Sequence, residues 1–467
     1  MQRGLRNRRG VRGGRSPWRR PSLRRPSLRR PPLRRPPLLV LVALLVQGAC
    51  APGTTLGAPR TGSAVASAGP QVAAAHRVAA PGATTASRLE AAAGRLIARR
   101  WQAAAAADLA GWLQGVRGDR LREQQRELFA RLEAVRIADP QLVSLTTQPA
   151  AAGLAAAASW TGRAVLAYRL AGFDRAPRTF TLDLAFSSDA AFGVTIVGSA
   201  PADRPEPWDL PGLKVRRSPR ALVLGQGGDE HVDELARRAD AAAVRVHDVV
   251  GTVVPAVWVA PGTPADAARL LGRDASSLVG LAAVTDGPLR PDGRAGSDRV
   301  VVVPTAWASL TGAGRDVVLT HELTHVTVRT TATRPAPLWL SEGLAEYVAY
   351  RDVRLPDRQL AAPVLAAAQV GGVPARLPDD HAFDAADGRL AAAYGQAWLA
   401  VRTLVDAHGE AAVLRFYRAV AAADHPPPGW PADPEAAADR ALRDVLHTSR
   451  PELTRAWRAR ITGLPGP

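Results

Sequence analysis

The run His321-Glu322-Leu323-Thr324-His325 limits what this chain can fold into more than any other feature. Val317, Val318, Leu319, Leu323 and Val326 recur around it at helical spacing. On an α-helix, residues i and i+4 lie about 40° apart. Both imidazoles therefore leave one face, one turn apart, which suits two ligands of one Zn²⁺. Glu322 lies about 100° round from His321. It can reach a water on such an ion without being a ligand itself. Sixteen residues separate His325 from Glu342, in Leu338-Trp339-Leu340-Ser341-Glu342-Gly343-Leu344-Ala345-Glu346-Tyr347. Pro335 and Pro337 mark a turn, and Ser341 is placed to cap or open a second helix. A carboxylate at the start of a packed neighbouring helix can swing into a third ligand position. Two His, one Glu and one place for water is the set of a catalytic rather than a closed structural zinc. An HExxH alone also fits two histidines packed in a core or on a helix surface; the Glu342 context weighs against that.

HELTH followed by WLSEGLAEY resembles the gluzincin (peptidase MA-like) metallopeptidases, over roughly residues 219–460. The resemblance implies one Zn²⁺ per chain held by His321, His325 and Glu342, with Glu322 as catalytic base. It implies a thermolysin-like zincin domain with a mixed sheet, an active-site helix and a helical lower lobe. The implied activity is zinc-assisted hydrolysis of a peptide or protein substrate. The ligand gap is shorter than in the larger enzymes, and no Gly-x-Met-Glu-Asn segment stands upstream, so endopeptidase is favoured over aminopeptidase. Glu346, four residues after Glu342, is placed to reach His321, and thermolysin-like enzymes carry a carboxylate at the matching position. Related gluzincins often set a Tyr or His across the cleft to donate to the tetrahedral intermediate. Tyr394 is the candidate and His381 the rival. The strand near 299–303 reads either as a sheet edge that holds extended peptide or as a plain core strand. The alternative function is a catalytically degenerate zinc-binding interaction protein of the cell envelope.

The formal net charge of +18 invites a nucleic-acid reading, but residues 1–35 carry 14 Arg and no acid. The other 46 basic residues face 42 acidic ones. A nucleic-acid face needs its basic residues on the folded part, so no nucleic-acid partner is expected. After the Arg-rich stretch, residues 38–46 are nine without a charge. Spanning a bilayer takes about 20, so 1–50 reads as a signal peptide with a long positive n-region. Cys50, the one cysteine, excludes a disulfide framework and a Cys-rich zinc module. Val46-Gln47-Gly48-Ala49-Cys50 resembles a lipobox, departing from it at Gln47. Export is expected, with Cys50 acylated and the protein held at the membrane surface. Ordinary cleavage after Ala51 and secretion is the alternative.

Residues 51–87, rich in Ala, Gly, Thr, Ser and Pro, read as a disordered linker. From 88 to 131 apolar residues recur at helical steps, with breaks expected at Gly111 and at 115–118. Strands are expected at 132–137, 163–170, 179–186 and 193–197. Two helices and four antiparallel strands over 88–212 resemble the nuclear-transport-factor-like cone, either a ligand-holding domain or a pro-region. The Pro-rich run 200–218 marks the boundary to the metallopeptidase domain, 213–467. There strands are expected at 221–224, 256–260, 281–285 and 300–303, around a helix at 230–250. The metal-motif helix should run from about 314 to 327, with further helices at 359–370, 388–408, 410–423, 435–447 and 451–461. The whole is α+β.

Overall fold

The computed structural model describes residues 85–148, 159–189, 191, 193–383, 389–421 and 429–464. The Arg-rich segment, the run 38–46, Cys50 and residues 51–84 of the linker lie outside the described residues. Among those described, fourteen α-helices and two sheets make an α+β fold. None of these helices is long and apolar enough to cross a membrane.

Helix α1 (Thr85–Ala105) turns Leu89, Ala93, Leu96, Ile97 and Trp101 inward. Asp108 starts α2 (Leu109–Leu113), its carboxylate accepting the Gly111 N–H at 3.0 Å. Gly115 and Gly118, at φ 72° and 95°, then make the turn into α3 (Asp119–Val135), a conformation that favours glycine. The expected break thus falls at Gly115–Gly118, while Gly111 sits inside α2, and there are three helices instead of two. The strand expected at 132–137 is also corrected. Phe129, Leu132 and Val135 complete the buried face of α3 at three-residue steps. Arg136 then takes a left-handed conformation at φ 54° and ends the helix.

Strands β1 (Ile137–Gln148), β2 (Ser159–Leu170), β3 (Arg178–Ser188) and β4 (Val194–Pro201) form an antiparallel meander. Pro140 sits where the β1 register shifts between Ala138 and Gln141, a bulge that tolerates its missing N–H.

Next in sequence come β5 (Lys214–Arg217), β6 (Ala221–Gly225), α4 (Asp229–Val250), β7 (Ala256–Ala260), α5 (Pro264–Leu271), β8 (Ala283–Asp286) and β9 (Arg299–Val302). They build a mixed sheet in the order β5-β6-β7-β9-β8. β6, β7 and β9 run parallel, and β5 and β8 antiparallel to them. The parallel strands are buried along their whole length, which explains sequences apolar throughout except for the paired Arg299 at the start of β9. β9 lies between β7 and β8, so the strand near 299–303 is a core strand; the edge on that side is β8, and β5 is the other.

The rest is helical: α6 (Pro304–Ser309), α7 (Gly312–Arg329), α8 (Leu338–Tyr350), α9 (Asp357–Leu360), α10 (Ala362–Gly371), α11 (Leu390–His408), α12 (Glu410–Ala421), α13 (Pro434–Leu446) and α14 (Arg450–Gly463). Pro337, and not Ser341, precedes the first turn of α8. α8 and α11 approach closely at Gly343, where a Cβ would meet the Ala397 carbonyl oxygen at 2.4 Å.

Buried ion pairs join the meander to the mixed sheet. Arg299 of β9 grips Asp174 with both arms, at 2.6 and 2.7 Å, and both side chains are at most 2% exposed. Arg178 of β3 reaches Asp286 of β8 at 2.7 Å.

Candidate metal centre

Thr311 caps α7, its hydroxyl accepting the Gly314 N–H at 3.1 Å. The helix then packs on α4, α8 and β8, and every residue from Val318 to Val328 is buried. Thr320 and Thr324 fit this interior because their hydroxyls donate to carbonyls four residues back, at 2.7 and 2.8 Å.

His321 and His325 leave one face of α7, as their spacing requires. Their Nε2 atoms stand 2.8 Å apart, and each is 3.2 Å from Glu342 Oε2 on α8. A tetrahedral ion with bonds of about 2.0–2.1 Å sets its ligand atoms about 3.3 Å apart. These three atoms are spaced as ligands of one such ion, and the cluster could hold a metal. All three residues are at most 1% exposed.

Two imidazole lone pairs and a carboxylate that converge on one point repel unless a cation lies among them. With no metal, that cation is a proton. Burial alone would push His321 down, but Glu342 and Glu346 carry its pKa up to about 10. Burial opposes ionisation of Glu342, yet His325 and His321 draw its pKa down to about 2. A metal ion must displace the shared proton, so its affinity falls as pH falls.

Glu322 is 1% exposed. Its Oε2 accepts a hydrogen bond from Thr285 on the edge strand β8, and its Oε1 has no partner among the described residues. Burial holds its pKa above the ordinary carboxylate value, against the pull of His321 and His325. An unmet buried acceptor beside a metal-spaced triangle needs an explanation, and a water shared with a bound ion supplies one.

Glu346 Oε1 lies 3.3 Å from His321 Nδ1, close but not aligned as a hydrogen bond; Nδ1 and Glu346 Oε2 are both buried without a partner. The i+4 spacing thus places Glu346 where the sequence put it, on the far side of the His321 ring. A carboxylate there fixes the ring and its tautomer. Glu346→Ala should weaken Zn²⁺ affinity by about 10–100-fold, read by competition with a chromophoric chelator. Unchanged affinity would reject the role.

Tyr394 on α11 is 1% exposed, and its ring lies 6.1 Å from that of His321. Burial, then Glu342, Glu322 and Glu346, hold its hydroxyl well above the usual pKa, so it is a donor at neutral pH. His381 is exposed on a 3-10 turn and is not part of the cluster. Two residues were missed by sequence reasoning. Thr285 shows only as a polar residue ending a short apolar strand. Tyr417 on α12 is buried, and burial and Glu342 both raise its pKa; no spacing ties it to the motif. Set beside known proteins, the chain matches no family model, no curated protein and no solved structure.

Proposed function

We propose that the chain is a zinc metallopeptidase of the gluzincin type that hydrolyses internal peptide bonds with Glu322 as general base. The buried triangle of His321 Nε2, His325 Nε2 and Glu342 Oε2, beside an unpartnered Glu322 Oε1, carries the reading. Those three atoms would hold the Zn²⁺. Bound there, zinc supplies Lewis acidity and lowers the pKa of a water towards about 7. Thr285 occupies Oε2 of Glu322, which leaves Oε1 as the atom that takes the proton from water and passes it to the leaving amine. The raised pKa suits a carboxylate that must return the proton it takes. Glu346, by accepting from His321 Nδ1, would leave the Nε2 lone pair to the metal. The burial of the site strengthens each of these charge interactions.

β8 is the edge strand that carries Thr285. An extended peptide added along it by backbone hydrogen bonds would run beside Glu322. The front part, three helices and a four-stranded meander, supports the cone-like reading by its topology.

Digestion of a peptide library by the purified protein, with and without a chelator, tests the proposal. Chelator-sensitive cleavage at internal bonds is expected. No cleavage by protein holding one zinc per chain would favour the degenerate binding protein. Tyr394 is the proposed donor to the tetrahedral oxyanion. Tyr394→Phe should lower kcat by about 10²–10³ with little change in KM. A normal kcat would pass the role to Tyr417, the other buried tyrosine whose hydroxyl senses Glu342.

We also place the protein outside the cytoplasm, anchored through an acylated Cys50. Mass spectrometry of the mature N-terminus decides this: a lipid-bearing Cys50 supports the anchor, and an unmodified chain starting at Pro52 refutes it.

A further inference from the structure

The part of the chain from α1 to β4 and the 3-10 turn at Pro207–Asp209 encloses a cavity of about 50 Å³. None of its lining residues belongs to the metal cluster. Trp101, Trp112 and Trp208 wall it, and Arg100, Gln125 and Asp209 are among its polar groups. Arg100 is 3% exposed, and no carboxylate pairs with it among the described residues. Its Nε donates to the Trp112 carbonyl at 2.7 Å and its Nη2 to Gln125 Oε1 at 2.6 Å. The guanidinium also sits 4.2 Å from the Trp112 ring centre. Nη1 has no acceptor among the described residues.

A buried cation met only by neutral acceptors is costly; a core that needed only packing would hold Leu or Met there. Burial lowers the pKa of Arg100 to about 10, so it is still charged at neutral pH. Among the described residues no ion pair or hydrogen bond joins Asp209 to Arg100; Asp209 Oδ2 accepts the Glu206 N–H at 2.8 Å instead.

We infer that this cavity binds a carboxylate, with the Arg100 guanidinium donating to its oxygens and the tryptophans enclosing a short apolar stub. The planar guanidinium matches a two-oxygen anion. A space of about 50 Å³ is larger than one water requires and small enough to admit only a short ligand. A carboxyl group carrying one or two further carbons is of that size. The source is either a free short acid or the end of a longer molecule. The inference stands apart from the metallopeptidase reading.

The test titrates the full chain with sodium propionate at fixed ionic strength, reading tryptophan emission and Tm. A saturating response is expected. Propionate's five non-hydrogen atoms limit the Kd to no tighter than roughly a few micromolar. Propionamide and chloride should give no response. Arg100→Gln should weaken propionate binding at least about tenfold. An equal response to propionamide, or no response to propionate, overturns the inference, and the wild-type titration decides this even if the variant fails to fold. N-acetylalanine binding more tightly than propionate would support the site with a chain-terminal carboxylate as ligand. Its exclusion, with propionate still bound, would support the site with a free short acid.

Discussion

Glu322→Gln is expected to keep one zinc per chain and to lose at least about 10³-fold in hydrolysis. The amide has the shape of the carboxylate and can still accept the Thr285 hydrogen bond made by Oε2. It cannot take a proton. The three ligand atoms belong to other side chains, so the metal should remain. Measuring zinc stoichiometry and turnover on one preparation separates loss of the base from loss of the site. Wild-type-like turnover would refute the mechanism. Loss of zinc together with turnover would show that Glu322 holds the site's shape instead.

A second large effect is expected at Gly343. A Cβ there would lie 2.4 Å from the Ala397 carbonyl oxygen, 2.9 Å from its carbonyl carbon and 2.7 Å from Val401 Cγ2. Two of these are backbone atoms of α11, which cannot swing aside as a side-chain tip does. Gly343→Ala should therefore force α8 away from α11 and destabilise the protein by about 2–3 kcal/mol. Glu342, the preceding residue, moves with the helix, so zinc affinity should fall as well. Gly371→Ala is the control. It ends α10 with nothing near its Cβ and should be neutral or slightly stabilising. Denaturant unfolding and zinc titration of both variants check this. A Gly343→Ala protein as stable as wild type would refute the packing argument.

What was legible in the sequence followed from strict periodicity or from a fixed spacing. The i, i+4 histidines and the helix around them needed no tertiary information, and neither did the buried parallel strands with their apolar runs. Glu346 was legible for the same reason, since four residues on one helix fix a direction. The strand expected at 132–137 failed because Val135 and Ile137 alternate as in a strand, while Leu132 and Val135 continue the three-residue steps of the helix. The left-handed Arg136 that divides them leaves no mark in composition. Strand order was not legible either. The run 299–303 looks the same inside a sheet as at its edge, and only the antiparallel return of β8 decides the matter. Thr285, Tyr417 and Arg100 depend on which elements meet in space, and a local pattern does not carry that.

The grip of Arg299 on Asp174 bears on how such a chain can mature. Removing one partner of a buried ion pair costs about 3–5 kcal/mol, against a total stability of about 5–15 kcal/mol for an ordinary domain. Asp174 belongs to the front part, and Arg299 to the central sheet that supports the histidine helix. Cutting the chain near residue 212 and releasing the front part would take Asp174 from Arg299, which is 2% exposed in the intact chain, and would strip Arg178 from Asp286 on the very strand that holds Glu322 through Thr285. Residues 88–212 are therefore expected to stay with the rest of the chain rather than to leave as a propeptide, and a mature protein that begins near residue 213 would refute this. On that expectation they act as a brace for the strand that holds Glu322.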